Sequence, residues 1–173
     1  MTQSVLRILG QTLISACLCG VAWAQNPADV VPEKMPFDTP YGPGIRLEQA
    51  DQVMAAAHAE MAKRKWRLNC AVVDSSAQLV LFRRMDQTHV GSIDIAMHKA
   101  RAAAKFRRDT LAFENAIAAN PGIATLDDAI ASRGGVLIIS KGQIIGAIGC
   151  SGGTGSQDEL IAKVGAEIGR AHV

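Results

Sequence analysis

The sequence predicts an α+β fold, an antiparallel sheet with helices layered against it, on three observations. Two pairs of short β-rich runs are each joined by a turn too short for a parallel crossover. Helical spacing precedes, separates and follows these pairs, giving the order helix, two strands, two helices, two strands, helix. The 173 residues, 49% apolar, suffice for one closed core, and the chain shows no internal repeat and no second domain.

The first segment is a targeting sequence. Arg7 precedes an apolar run from residue 8 to 22, shorter than the ~20 unbroken residues of a membrane span. Ala22-Trp23-Ala24 places small residues where a signal peptidase cuts, so residues 1–24 are expected to be a signal peptide that directs the chain to the periplasm or the medium. An alternative is the lipoprotein-like box Ile14-Ser15-Ala16-Cys17, which would anchor the chain by acylated Cys17; Leu18 directly after the cysteine speaks against it. Residues 25–45 carry Pro27, Pro32, Pro36, Pro40 and Pro43, which exclude helix and central strand. This arm has Met35, Phe37 and Tyr41 with which to dock on a neighbouring subunit, and the domain proper spans residues 46–173.

Within the domain, apolar residues at 47, 50, 54, 57 and 61 mark one face of a first helix over 47–65. Residues 69–74 and 79–83 form a hairpin with a four-residue connection. Ser92 offers an N-cap for a second helix whose apolar side is mostly alanine, small enough to let it lie close to its support. A third helix covers 110–119 and stops at Asn120-Pro121-Gly122. Lys141-Gly142 turns a run over 136–140 into one over 143–150, and a last helix over 157–171 buries Leu160, Ile161, Val164 and Ile168.

Charge excludes one class of function. The chain carries 18 basic and 16 acidic residues, and loss of Arg7 leaves 17 against 16, so no polyanionic partner such as nucleic acid is indicated. Lys99, Arg101, Lys105, Arg107 and Arg108 form a local basic run without interleaved aromatics, which fits a solvated helix face. Cys70 and Cys150 remain after signal removal; an oxidising compartment permits a bridge if their strands are neighbours, and buried thiols are the simpler expectation. No CxxC or HxxxH spacing points to a metal.

The stretch from Gly149 to Glu159 is the most informative. A strand enters a glycine-rich turn and then a helix start, so backbone N–H groups and the positive end of the helix dipole converge where an anion could bind. Ser156 and Glu159 equally fit an S-x-x-E capping box, which needs no ligand.

The run from Gly146 to Thr154, followed by Gln157-Asp158-Glu159, resembles the closing signature of the GlcG/HbpS family of haem-binding proteins, which includes the C-terminal domain of PduO-type proteins. Arg84-Met85-Asp86, the stretch from Gly91 to Ala96, Lys99-Ala100-Arg101 and Gly134-Gly135-Val136 are similar to further segments of that family, in its order. The resemblance covers residues 46–171; Cys150 stands where valine is usual, and Gly155-Ser156 replaces a commoner Pro-acid pair. It implies a profilin-like sheet of five antiparallel strands, the extra one near residues 129–132, and assembly into homo-oligomers. It implies binding of haem or a related tetrapyrrole, some relatives being tied to glycolate-like or corrinoid metabolism; a non-enzymatic role is the leading expectation because the sequence offers no convincing nucleophile–base pair.

A haem site needs an apolar slot and usually an axial ligand. His89, in the loop before the second helix, is the first choice to meet haem iron, and His58, at the margin of the first helix's apolar face, is the second. His98 fits an exposed residue paired with Asp94, and His172 a frayed terminus. Lys99 and Arg101 are candidates for haem propionates or another carboxylate, with Ser151, Gly152, Gly153 and Thr154 as the turn that lines the ligand. No catalytic residue is identified: Ser151-Gly152-Gly153 misses the G-x-S-x-G spacing, the turn lacks the Gly-Lys-Ser/Thr ending of a phosphate loop, and adjacent Asp158 and Glu159 diverge on a helix. The alternatives are a small-carboxylate binding module at the glycine turn, an enzyme acting on such a compound, and a redox-sensing oligomer using Cys70 and Cys150.

Overall fold

A computed structural model describes residues 31–171. The segment 1–24 expected to be a signal peptide, with Cys17, and His172 lie outside these residues. From residue 35 onward the chain forms one unit, in the order α1 (Leu47–Arg64), β1 (Asn69–Asp74), β2 (Leu79–Arg83), α2 (Gly91–Phe106), α3 (Thr110–Ala119), a 3-10 turn (Pro121–Thr125), β3 (Gly135–Ser140), β4 (Gln143–Ser151) and α4 (Gly155–Ala171). The strands form an antiparallel sheet in the order β2-β1-β4-β3.

Strand alternation divides the core into two layers. Cys70, Val72, Val136, Ile138, Ile148 and Cys150 face α1 and α4, whose Val53, Met54, Ala57, Met61 and Ile161 are buried against them. Ala71, Val73, Leu137, Ile144 and Ala147 face the alanine side of α2. Ile145 is an extra residue in β4, since Ile138 pairs with Gly146 and Ile139 with Ile144; the bulge turns Ile144 to the α2 face and Ile145 to the other. The alanines of α2 allow the close approach expected of them: a Cβ at Gly149 would collide with the backbone of Ala96 and Ala100, and one at Gly135 with that of Lys99. The β3–β4 turn has positive φ at both Lys141 and Gly142, the conformation a tight hairpin requires.

Several expectations are corrected. Among the described residues the sheet has four strands, and residues 129–132 form none. The outer edge of β3 is already engaged, because Gly135 N–H donates to Thr110 Oγ1 and Leu137 N–H to Asp109 Oδ1, both at 2.9 Å, leaving no ladder there for a fifth strand. Cys70 and Cys150 are not free thiols: they stand opposite each other on β1 and β4, fully buried, and form a disulfide. Ser92 is not the cap of α2, which begins at Gly91; it is a buried residue of the first turn. Leu47 is exposed, at 57%, the buried stripe of α1 running instead through Ala50, Val53, Met54, Ala57 and Met61.

The arm docks on its own domain. Ile144 N–H donates to the Pro40 carbonyl and Gly42 N–H to that of Ile144, while Tyr41 OH donates to the Ala104 carbonyl at 2.8 Å. Arg107 stacks on the Tyr41 ring and Arg108 on Phe37, so the basic run gains aromatic partners in space that it lacks in sequence. Met35 remains 81% exposed.

Candidate functional site

Three segments converge beyond the C-terminal end of β4. The first is the exit of α1, where Lys65 takes a left-handed conformation and the N–H groups of Lys65 and Trp66 bond the carbonyls of Ala62 and Met61. This closure turns Trp66 off the helix, with Arg64 stacked 4.9 Å from the indole centroid. The second is the glycine turn. Gly152 has φ +141°, and a Cβ on it would lie 2.7 Å from the Arg67 carbonyl oxygen and 2.8 Å from Thr88 Cγ2, so only glycine fits.

The third segment is the loop between β2 and α2, and a buried amide fixes it. Asn69, fully buried on β1, accepts the Met85 N–H at 3.0 Å and donates to Ser92 Oγ at 2.8 Å; the Ser92 hydroxyl in turn donates to the His89 carbonyl. This network holds Thr88 and His89 over a hollow of about 400 Å³ whose other walls include Trp66, Leu68, Gln87 and Gly152. Thr88 is only 7% exposed, and its buried hydroxyl has no hydrogen-bond partner. A buried orphan of this kind costs about 1–3 kcal/mol unless something else satisfies it. His89 is exposed at the wall of the same hollow.

Arg67 and Gln87 also line an adjoining hollow of about 390 Å³ with His58, Arg83, Arg84, Met85 and Asp86. The two hollows together carry Lys65, Arg67, Arg83 and Arg84 against the single acid Asp86. None of these four cations is in an ion pair among the described residues. The region thus combines an indole and a leucine, an unsatisfied hydroxyl, two imidazoles and a cationic rim. Those features suit a flat apolar ligand with anionic substituents.

The profile of the family described as "Haem degrading protein HbpS-like" matches residues 45–167. The chain belongs to this family. It is 35% identical over 110 residues to protein GlcG of Escherichia coli K12, covering 62% of this chain and 81% of that one. Among solved structures it is similar to the Klebsiella pneumoniae protein ORFY, at a TM-score of 0.70 and 26% identity over 83% of this chain and 99% of that one. It is also similar to a double mutant of Streptomyces reticuli HbpS, at 0.69 and 25% over 82% and 98%. The HbpS-like match begins at residue 45, so the docked arm precedes the matched region.

Within this HbpS-like domain the structure brings His89, Gly152 and Gly153 to one hollow and His58 to its neighbour. It does not bring Lys99 or Arg101 there. Lys99 does not belong to a solvated face: it is 1% exposed, and its Nζ meets Asp158 Oδ2 at 2.8 Å. Asp158 Oδ1 accepts the Gly153 N–H, so this amide is taken by the chain itself. Gln157 Oε1 accepts the N–H of Thr154, whose Oγ1 faces the Gln157 N–H, making Thr154 and Gln157 the cap rather than Ser156 and Glu159. Ser151 is buried as the last residue of β4, opposite Asn69.

Arg101 is exposed on α2 and lines a separate hollow with Asp94, Met97, His98 and Asp128. His98 is not an exposed partner of Asp94; it is half-buried, and its Nε2 is buried without a hydrogen bond. The hydrogen bond from Lys105, aided by the charges of His98 and Arg101, holds the Asp128 carboxyl below its ordinary value. Sequence reasoning missed Thr88, Asn69 and Trp66. Thr88 adjoins His89, but nothing local shows that its hydroxyl is buried without a partner.

Proposed function

We propose that the domain binds haem or a related tetrapyrrole in the hollow between Trp66, Thr88, His89 and Gly152, acting as a non-enzymatic, exported homo-oligomer. The buried, unpartnered Thr88 hydroxyl beside an exposed imidazole carries this reading. The family description supports it by naming haem. A bound haem would supply a redox-active, Lewis-acidic iron; the residues placed to hold it are His89 and Thr88 as polar partners, Trp66 and Leu68 as apolar wall, and Lys65 and Arg67 for the propionates. His58 and Arg84 offer the same chemistry in the adjoining hollow. The Cys70–Cys150 disulfide supports export to an oxidising compartment.

Titration of the purified chain with haemin tests the site. A saturable Soret band is expected at micromolar haemin, weakened about tenfold by His89→Ala and by the near-isosteric Thr88→Val, with His58→Ala having the smaller effect. No saturable band, or one indifferent to both Thr88→Val and His89→Ala, overturns the assignment. The family description also favours a second reading, haem degradation. A Soret band that persists in air with ascorbate supports binding alone, whereas progressive bleaching supports degradation. A carboxylate at the glycine turn itself has fewer donors than the sequence suggests, since Lys99 and the amides of Gly153 and Thr154 are bonded within the chain. Light scattering checks the oligomer.

A further inference from the structure

A second hollow lies at the opposite end of α1. It has a volume of about 310 Å³ and is lined by Pro43, Arg46, Gln49, Ser140, Lys141 and Ile145, together with Gly44 and Gln143. An 18-residue helix is about 27 Å long, so this hollow is remote from the one at Trp66, which sits where the same helix ends.

Its lining contains two cations and no acid. Neither Arg46 nor Lys141 is in an ion pair among the described residues. The positive end of the α1 dipole adds to them, Arg46 being the residue before the first turn. Helix ends and surface cations are common, and the observation that singles this place out is Ser140. It is 95% buried, being 5% exposed, yet it lines the hollow, and its hydroxyl makes no hydrogen bond among the described residues. Gln49 is held in place by accepting the Arg46 N–H at 3.0 Å, which leaves its amide nitrogen to donate. Ile145, turned to this side by the β4 bulge and 6% exposed, gives the hollow an apolar wall with Pro43.

We infer that this hollow is a binding site for a short aliphatic dicarboxylate: two unpaired cations for two carboxylates, a serine hydroxyl and a glutamine amide as directional donors, and Ile145 and Pro43 against the hydrocarbon between them. The apolar wall distinguishes such a ligand from inorganic phosphate, which has no hydrocarbon to place there. The arm takes part directly, because Pro43 and Gly44 belong to it and the Gly42 N–H bond to the Ile144 carbonyl sets it against β4.

Calorimetric titration of the full chain with succinate, propionate and inorganic phosphate, paired with amide chemical shifts over residues 140–143, tests the site. Succinate is expected to bind at least about tenfold more tightly than propionate or phosphate and to shift those amides. Arg46→Gln and Lys141→Asn are each expected to weaken it about tenfold, and Ser140→Ala about threefold. Lys141 is exposed at φ +49°, a conformation asparagine tolerates, so Lys141→Asn removes the charge without straining the turn and remains informative if Ser140→Ala does not fold. Haemin titration of these variants should match the parent chain, since the haem hollow is at the other end of α1. The inference is overturned by absence of succinate binding at about 10 mM, by phosphate or propionate binding as tightly as succinate, or by succinate affinity indifferent to both Arg46→Gln and Lys141→Asn.

Discussion

Lys99 shows how little a side chain's chemistry says about where it will sit. On α2 it occurs among buried alanines, with its carbonyl oxygen 2.2 Å from the place a Cβ on Gly135 would take, and its side chain reaches Asp158 on α4. Its amine is compensated there by Asp158, whose other oxygen holds the Gly153 N–H. Replacing a buried ion pair as a whole is often tolerated, but removing one partner leaves the other charge uncompensated. Lys99→Met is therefore expected to destabilise the fold by about 3–5 kcal/mol, and the double variant Lys99→Met/Asp158→Asn by distinctly less. Urea unfolding of Lys99→Met, Asp158→Asn and the double variant measures this; a double-variant loss equal to the sum of the two single losses would show that the pair is not coupled.

Loops in this domain are fixed by single anchored side chains rather than by regular structure. The loop holding residues 129–132, where a fifth strand was expected, is tied to α3 through Arg133, which donates from its backbone N–H and its guanidinium to Glu114. That guanidinium holds the Glu114 carboxyl below its ordinary value of 4.5, and the carboxylate in turn raises Arg133. A carboxyl depressed in the folded state contributes stability that is fully present above its unfolded value and is lost as pH falls through its lower folded value. Glu114→Gln is thus expected to lower the thermal midpoint at pH 7, with the difference from the parent chain shrinking as pH drops below 4.5. Both carboxylate and guanidinium are 30% exposed, so solvent screening keeps the effect small. A difference that stays constant from pH 7 to well below 4.5 would contradict this.

At the scale of the whole molecule, the Cys70–Cys150 disulfide joins two central strands across 80 residues of sequence. It also lies close to the hollow at Trp66 and His89, because Leu68 is two residues before one cysteine and Gly152 two after the other. Closing so long a loop restricts the unfolded chain, and its loss typically costs about 2–4 kcal/mol. Cys70→Ala/Cys150→Ala is expected to unfold at correspondingly lower denaturant concentration, and a reductant should lower the midpoint of the parent chain but not of the double variant. Equal midpoints for the two chains under oxidising conditions would remove the bridge from the stability of the fold.

Element order was legible in the sequence because it is set by local periodicity and turn chemistry: residues 69–74, 79–83 and 110–119 follow from apolar alternation, helical spacing and the Pro-Gly stop alone. The glycine turn was legible for the same reason, since a strand, three closely spaced glycines and a helix start follow one another, and the structure brings Gly152 and Gly153 to one hollow with His89. Partnership was not. Whether Cys70 meets Cys150, whether Lys99 reaches water or Asp158, and whether the Thr88 hydroxyl finds a donor or an acceptor depend on which strands neighbour each other and how closely α2 approaches them. The sequence by itself determined the family, the layering of helices on an antiparallel sheet and the place of the turn. Only the tertiary structure decided which polar groups are spent on the fold and which are left without a partner, because burial and pairing arise from contacts between residues far apart along the chain.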